Sequence, residues 1–363
     1  MAEHKIHTVR SPRIPVAAKD THGRDILDQV QSRDGIYTKT YDHKLAQGLT
    51  NEHFLELDLG DWKVEGRGSK VDGQRKGDVP AGSSTLNRQP STITLFLTGW
   101  IYPTGTSLNV QFSQNPDLAQ PRPPALHAVD ANGQWREIRP FMGFPGGKTK
   151  TIAIDISDVF AAGSSDHRLR IVTNMEFYWD AAFFTVDEEP VEIRQTELPL
   201  VRADLRERGG VSHREWPLAG NGPENFDYSR LVPGPPWPPM AGAFTRLGDV
   251  LPLLTERDDQ LVVTGCGDEI QLAFAVPSEP LPAGWVRDFV IYNVGWDKDC
   301  DLNTVYGETV EPLPFRDMTV YAHRDGQPRP LDDEYLRYIK TYQTRGQARP
   351  QFWSEIRRRT VPD

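Results

Sequence analysis

Apolar and polar positions alternate with a period of two through much of this chain. FLELDL, residues 54–59, has the pattern of a half-buried strand. The same alternation, or a short apolar run bounded by turn residues, recurs at STITLFLTGWIY, ALHAVDA, KTIAIDIS, HRLRIVTN and FYWDAAFFTV. Helical spacing is confined to two places. GRDILDQVQSR (23–33) puts Ile26, Leu27 and Val30 on one face, and DDEYLRYIKTYQ (332–343) does so with Tyr335, Leu336, Ile339 and Tyr342. Many short strands between Gly and Pro turns predict an all-β protein: two related β-sandwich-like modules, galactose-binding or jelly-roll in style, with a short C-terminal helix.

The organisation follows from breaks in this pattern. Residues 1–22 are polar, carry Pro12 and Pro15, and read as an extended N-terminal arm. A first β-sandwich module covers 23–190, interrupted by a Gly-, Ser-, Lys- and Asp-rich loop at 60–91. Residues 191–240 form a linker in which VEIRQTELPLVRADLR adds one strand. It ends in Pro233-Gly234-Pro235-Pro236-Trp237-Pro238-Pro239, a stiff strap that cannot join a helix or a central sheet. A second β module spans 241–330, and 331–363 is a helical tail.

The two modules share phrases in the same order. Asp25-Ile26-Leu27 aligns with Asp249-Val250-Leu251, and Arg33-Asp34 with Arg257-Asp258 at the same offset. A strand ending in Gly99-Trp100 matches one ending in Gly295-Trp296, and Leu-Asn follows each, at 108–109 and 302–303. This predicts an internal duplication.

Composition narrows the functions. A net charge of −10 repels phosphate backbones, which argues against nucleic acid as a partner. The basic run Arg357-Arg358-Arg359 reads as a solvated helix end. Two cysteines, Cys266 and Cys300, are no disulfide framework and read as free, partly buried thiols. No apolar run reaches the length of a membrane span. MAEHKIHTVRSPRIP has no apolar core, so no signal peptide is predicted in it, and the expectation is open between a cytoplasmic location and a leader missing from this sequence.

The sharpest chemical signal is the acidic loop Asp297-Lys-Asp299-Cys-Asp301-Leu-Asn303, with Glu308 eleven residues after the first Asp. Oxygen side chains at alternate positions fit a calcium loop, and Ca2+ is the one cofactor suggested. Leu302 stands where an EF-hand needs Gly, and the flanks read as strand and Pro-rich loop. The competing reading is a polar turn whose carboxylates cap backbone N–H groups. Trp100, Tyr102, Trp179 and Asp180 form a second candidate, since aromatic faces with a nearby carboxylate suit a sugar ring. Against it, strand neighbours face opposite ways, which makes one ring of each pair core. Trp237 in the strap is a candidate partner contact. Gly143-Phe-Pro-Gly-Gly147-Lys148-Thr149 is one residue short of a phosphate loop and leads into a strand, so it reads as a hairpin turn. No nucleophile, metalloprotease or dinucleotide signature occurs, and no catalytic residue is singled out.

The phrases GRDILDQVQSRD, FLELDLGDW, LFLTGWIYPTGTS, ALHAVDANGQW, FPGGKTKTIAIDI, RLRIVTNMEFYWD, GDEIQLAF, VGWDKDCDLN and VEPLPF together carry a further signal. In this order they resemble the C-terminal region of bacterial proteins built from FG-GAP and ASPIC/UnbV or tetratricopeptide repeats. The resemblance covers about residues 20–345. It implies architecture and no known activity. Proteins of that family are often exported, with repeats preceding this region. The leading expectation is therefore a non-catalytic scaffold or accessory subunit that stabilises a larger protein assembly. A calcium-dependent or aromatic-platform carbohydrate-binding module is the alternative. A two-carboxylate glycoside hydrolase is the third, with no pair marked out among 51 acidic residues.

Overall fold

A computed structural model describes residues 6–61, 92–160, 164–189, 191–213, 222–223, 226–232, 240–301, 304, 306–319, 321 and 329–347. The loop at 62–91, the strap at 233–239 and the tail at 348–363 lie outside the described residues. The protein is all-β, with antiparallel sheets throughout and only short helices. It divides into two compact units. One comprises Met1–Leu108, Phe112–Ile193 and Glu215–Glu224; the other comprises Asn109–Gln111, Arg194–Arg214 and Asn225–Asp363.

In chain order the first elements are β1 (Ala17–Lys19), α1 (Leu27–Val30), β2 (Lys44–Ala46), β3 (Leu49–Asp58), β4 (Ile93–Ile101), α2 (Thr106–Gln114), β5 (Ala125–Val129), β6 (Trp135–Arg139), β7 (Lys150–Asp155), β8 (Arg168–Met175) and β9 (Phe177–Val186). Two sheets result. One runs β1-β3-β8-β5-β6 with β2 beside β3, and the other runs β7-β4-β9. A single apolar cluster draws on both. Leu55, Leu57, Leu126, Leu169 and Ile171 come from the larger sheet; Leu95, Leu97, Ile154, Phe177, Trp179 and Phe184 come from the smaller. Each such side chain, fully buried, stabilises the fold by about 1.5–3 kcal/mol. The alternation seen in the sequence is this inward face.

The inward phase changes once along β9. Phe177 and Trp179 point into the core, and so do Ala182 and Phe184. An odd-to-even switch requires one extra residue. The register supplies it: Thr98 pairs with Ala181 and Gly99 with Trp179, which leaves Asp180 as the bulge. Gly99 is fixed by the same feature, because a Cβ there would collide with the Tyr178 carbonyl.

Part of the predicted N-terminal arm is ordered against the protein itself. Arg13 bridges to Phe184, and β1 pairs with β3. The segment at 34–41 also covers the smaller sheet, with Thr38 and Trp179 exchanging both backbone hydrogen bonds at 2.8 Å.

The second unit holds β10 (Leu200–Glu207), β11 (Gly210–His213), β12 (Phe226–Val232), β13 (Gly242–Phe244), β14 (Gly248–Asp249), β15 (Asp268–Phe274), α3 (Asp333–Tyr342) and β16 (Arg345–Gln347). Its sheets are small: β14-β10-β15, β11-β12 and β13-β16. Its core is built from Ala203, Leu205, Phe244, Val250, Leu253 and Tyr338. The helix predicted at 332–343 is α3, capped by Asp332, whose carboxylate accepts the Tyr335 N–H at 2.7 Å.

One of the matched phrases folds alike in both units. Ile26 donates its N–H to Ala18 at 2.9 Å, and Val250 to Ala203 at 3.0 Å. Asp25 accepts from Leu27 N at 3.0 Å, and Asp249 from Leu251 N at 2.9 Å. Asp34 and Asp258 cap the residue two positions on, both at 2.9 Å. The Gly-Trp match does not extend this likeness. Gly99-Trp100 lies in β4, whereas residues 277–300 contain no strand at all, against the expectation for FVIYNVGW.

His53 generates a testable consequence. It is buried, its Nε2–H donates to the Met175 carbonyl at 2.8 Å, and its Nδ1 accepts from the Thr40 hydroxyl at 2.7 Å. Burial pulls its pKa from 6.5 to about 4, with the Met175 bond opposing. The unfolded chain therefore binds a proton near pH 6.5 that the folded chain refuses until about pH 4. Stability conferred by this site is complete above pH 6.5 and is lost as the pH falls toward 4, up to about 3 kcal/mol. In urea denaturation, His53→Gln should be less stable than wild type at pH 7. The gap should close steadily between pH 6.5 and 4.

Candidate functional site

The acidic loop is described only in part, without residues 302, 303 and 305. Asp297 and Asp299 are exposed, Asp301 is half-buried and Glu308 is buried. Asn303 lies outside the described residues. Among the described residues, no group of three or more His, Cys, Asp or Glu side chains is placed to hold a metal ion. The loop is closed instead by its own backbone. Asp301 N donates to Gly307 O at 3.0 Å, and a Cβ at Gly307 would collide with the Asp301 carbonyl. A cation is present, but it belongs to the chain. The Lys298 ammonium donates to the carbonyls of Thr309, Val310 and Glu311 at 2.5, 3.1 and 3.2 Å. Three successive carbonyls use all three of its N–H bonds. Burial lowers the Lys298 pKa to about 8, with the Glu311 carboxylate opposing, and it sits 5.3 Å from the centre of the Tyr321 ring.

The four residues of the sugar-platform expectation are placed by the β9 bulge. Trp179 is 1% exposed and stacks on Phe177 inside the core, so it offers no open face. Asp180 is also 1% exposed, and its Oδ1 accepts the N–H groups of Asp34 and Gly35. Trp100 is buried against Tyr178, stacked at 4.6 Å between centroids. Tyr102, half-buried, meets Trp100 edge-on. These rings cover the outer face of the small sheet under residues 34–41 and present no open platform. The neighbours Tyr178 and Trp179 do face opposite ways, as strand alternation requires.

Beside these rings lies a polar network that the sequence reading missed. Glu176, buried between β8 and β9, accepts from the Tyr178 hydroxyl at 2.5 Å and from Gly48 N at 3.3 Å, and pairs with Lys44 at 2.5 Å. Tyr41 donates to the Tyr178 oxygen at 2.6 Å. Burial, then the Glu176 carboxylate and the Tyr41 hydroxyl, raise the Tyr178 pKa, and burial raises that of Tyr41. Both hydroxyls therefore stay protonated donors. A charged residue within the apolar run NMEFYWD was the available signal. The network joins β2, the β2–β3 connection at Gly48, and β9.

The remaining feature is a surface. From Trp285 to Cys300 the backbone shows no turn, bend, strand or helix. Its side chains are those of a strand, yet Val286 is 79% exposed, Val290 85% and Ile291 71%, with Phe289, Tyr292, Val294 and Trp296 exposed as well. Both ends are anchored. Arg194 lies 5.5 Å from the Trp285 ring. Trp296 meets Tyr321 at 5.4 Å, beside the Lys298 clamp. Cys266 and Cys300 are thiols that are not joined in a disulfide. Trp237 lies outside the described residues.

No helix among the described residues is long and apolar enough to cross a membrane. No protein-family model matches the chain, and no curated protein or solved structure matches it.

Lys298→Met keeps the stem over Tyr321 but strips three carbonyls of a charged donor. It should lower the stability of the second unit by about 1–3 kcal/mol in chemical denaturation. Calcium should leave the melting curve of metal-stripped protein where chelator leaves it. A calcium-dependent rise of several degrees would show that the carboxylates do converge.

Proposed function

We propose that this chain is a non-catalytic binding protein or accessory subunit, and that it docks on protein through the segment Val286–Trp296. The observation that carries this reading is the exposed apolar run between two anchors. Soluble chains seldom leave a contiguous patch of β-branched and aromatic side chains in water unless something covers it. The anchors matter for affinity. A segment held at both ends forfeits less conformational entropy on docking than a loose one. A strand-like sequence without turns or bends, outside any sheet among the described residues, suits strand addition, in which main-chain bonds supply affinity and alternate side chains supply specificity.

The buried acids and the histidine of the first unit support the same reading. Glu176, Asp180 and His53 all spend polar atoms within the fold. They hold strands and loops together, which is structural work. The family resemblance fits as well, since a region that follows repeat arrays has other protein to pack against.

The test is a photoreactive amino acid at position 290, with a control at Ile138, which is exposed on β6. Illumination of cells that make the protein naturally should give a discrete protein adduct from position 290 and none from 138. Absence of adducts at 290, or the same adducts from both positions, would overturn the reading.

A further inference from the structure

The occupant of this surface can be narrowed by charge. We propose that Val286–Trp296 pairs with the same segment of a second copy of this chain, antiparallel, about a two-fold axis at Tyr292; this rests on the docking reading above.

Two charges at the ends of the run decide the pairing. Arg287 and Asp297 flank its apolar centre, both exposed, and neither forms an ion pair among the described residues. Parallel in-register pairing would set Arg287 against Arg287, which is unfavourable. In an antiparallel pair of identical strands, a two-fold normal to the ladder places one residue directly opposite its own copy. Each choice of that residue fixes every other pairing.

With Tyr292 on the axis, Arg287 faces Asp297 of the second copy, and Asp297 faces its Arg287. Val290 faces Val294 twice. Phe289 faces Gly295, so the ring lies over a position with no side chain. Val290, Tyr292 and Val294 form an apolar centre across the axis, with Asp288 opposite Trp296 and Val286 opposite Lys298 toward its ends.

Neighbouring registers lose these matches. An axis at Ile291 sets Arg287 against Gly295 and Asp297 against Trp285, so neither charge meets its opposite. An axis at Asn293 sets Phe289 against Asp297 and Arg287 against Asp299, a residue that already has an interaction within its own chain. That register would also need Lys298 to face Asp288, but the Lys298 ammonium is committed to three carbonyls of its own chain. Opposite charges directly across a strand pair are favourable and like charges are not. Of these three registers, the one centred on Tyr292 joins two exposed, opposite charges that have no ion pair among the described residues, at both ends of the pair.

The experiment uses the full chain and two single charge reversals, Arg287→Asp and Asp297→Arg. Both side chains are exposed, so the fold tolerates either. Sedimentation of wild type between about 1 and 100 µM should show a concentration-dependent dimer. Each reversal alone puts like charges together at both ends of the pair and should weaken the dimer at least about tenfold. Mixing the two variants restores opposite charges at both ends. At one end the introduced carboxylate of the first variant faces the introduced guanidinium of the second. At the other end the native Asp297 of the first faces the native Arg287 of the second. A heterodimer of near wild-type strength should therefore form. A wild-type monomer at about 100 µM overturns the second-copy proposal, as does a dimer indifferent to both reversals, or variants that fail to rescue each other. The docking reading is judged separately. A photo-adduct between position 290 and a different protein would sustain it while the self-pairing fails.

Discussion

The register between β4 and β9 is the constraint on which the first unit depends. These two strands dominate the small sheet, and everything inward of them must meet the larger sheet with apolar side chains. A single extra residue, Asp180, sits in that ladder. It turns the strand phase so that Phe177 and Trp179 on one side of the bulge, and Ala182 and Phe184 on the other, all reach the core. Without it, one half of β9 would carry its apolar set to the wrong face. The bulge also explains why an acid is tolerated at 1% exposure. Its carboxylate satisfies two backbone donors of the 34–35 turn, so the extra residue that disturbs the ladder also fastens the loop that covers it.

This arrangement shows why strand existence was legible in the sequence and side-chain role was not. Alternation at 54–59 and 150–155, and the runs at 93–101 and 177–186, are direct records of burial on one or both faces, so those strands could be read locally. Which of Trp100, Tyr178 and Trp179 stays open cannot be read locally. It depends on the bulge and on residues 34–41 arriving from far along the chain. The ring-plus-carboxylate pattern at Trp100, Tyr102, Trp179 and Asp180 has the composition of a sugar site and the geometry of a covered sheet. The Gly295-Trp296 match misled for a related reason. A strand exists through its ladder, and FVIYNVGW joins no sheet among the described residues.

The acidic loop carries the same lesson in electrostatic form. Alternating carboxylates suggest a cation, and one does reside there: Lys298, placed between Asp297 and Asp299 in the sequence and bound by carbonyls at 309–311. A chain-borne ammonium needs no free metal and no convergence of side chains. Spacing alone could not separate the two solutions, because both begin with the same residues. What separates them is which groups turn toward the centre. Backbone carbonyls turn toward Lys298, while Asp297 and Asp299 are exposed, Asp301 is half-buried and Glu308 is buried.

The two units thus differ in how far their strands are completed from within. In the first, the 34–41 segment, part of the N-terminal arm and the Glu176 network cover or satisfy the small sheet. In the second, β10 has neighbours on both sides, but β14 is two residues long and β15 ends its sheet. Beyond β15 the next strand-like sequence is a run held at both ends that joins no sheet among the described residues. In the proposed docking, the hydrophobic driving force that would cover that run is of the same kind that buries Trp179, and only the source of the cover differs. Two aromatic contacts and the Lys298 clamp hold the ends of that run, and under the proposed docking a run held at both ends loses less entropy on pairing than a loose one.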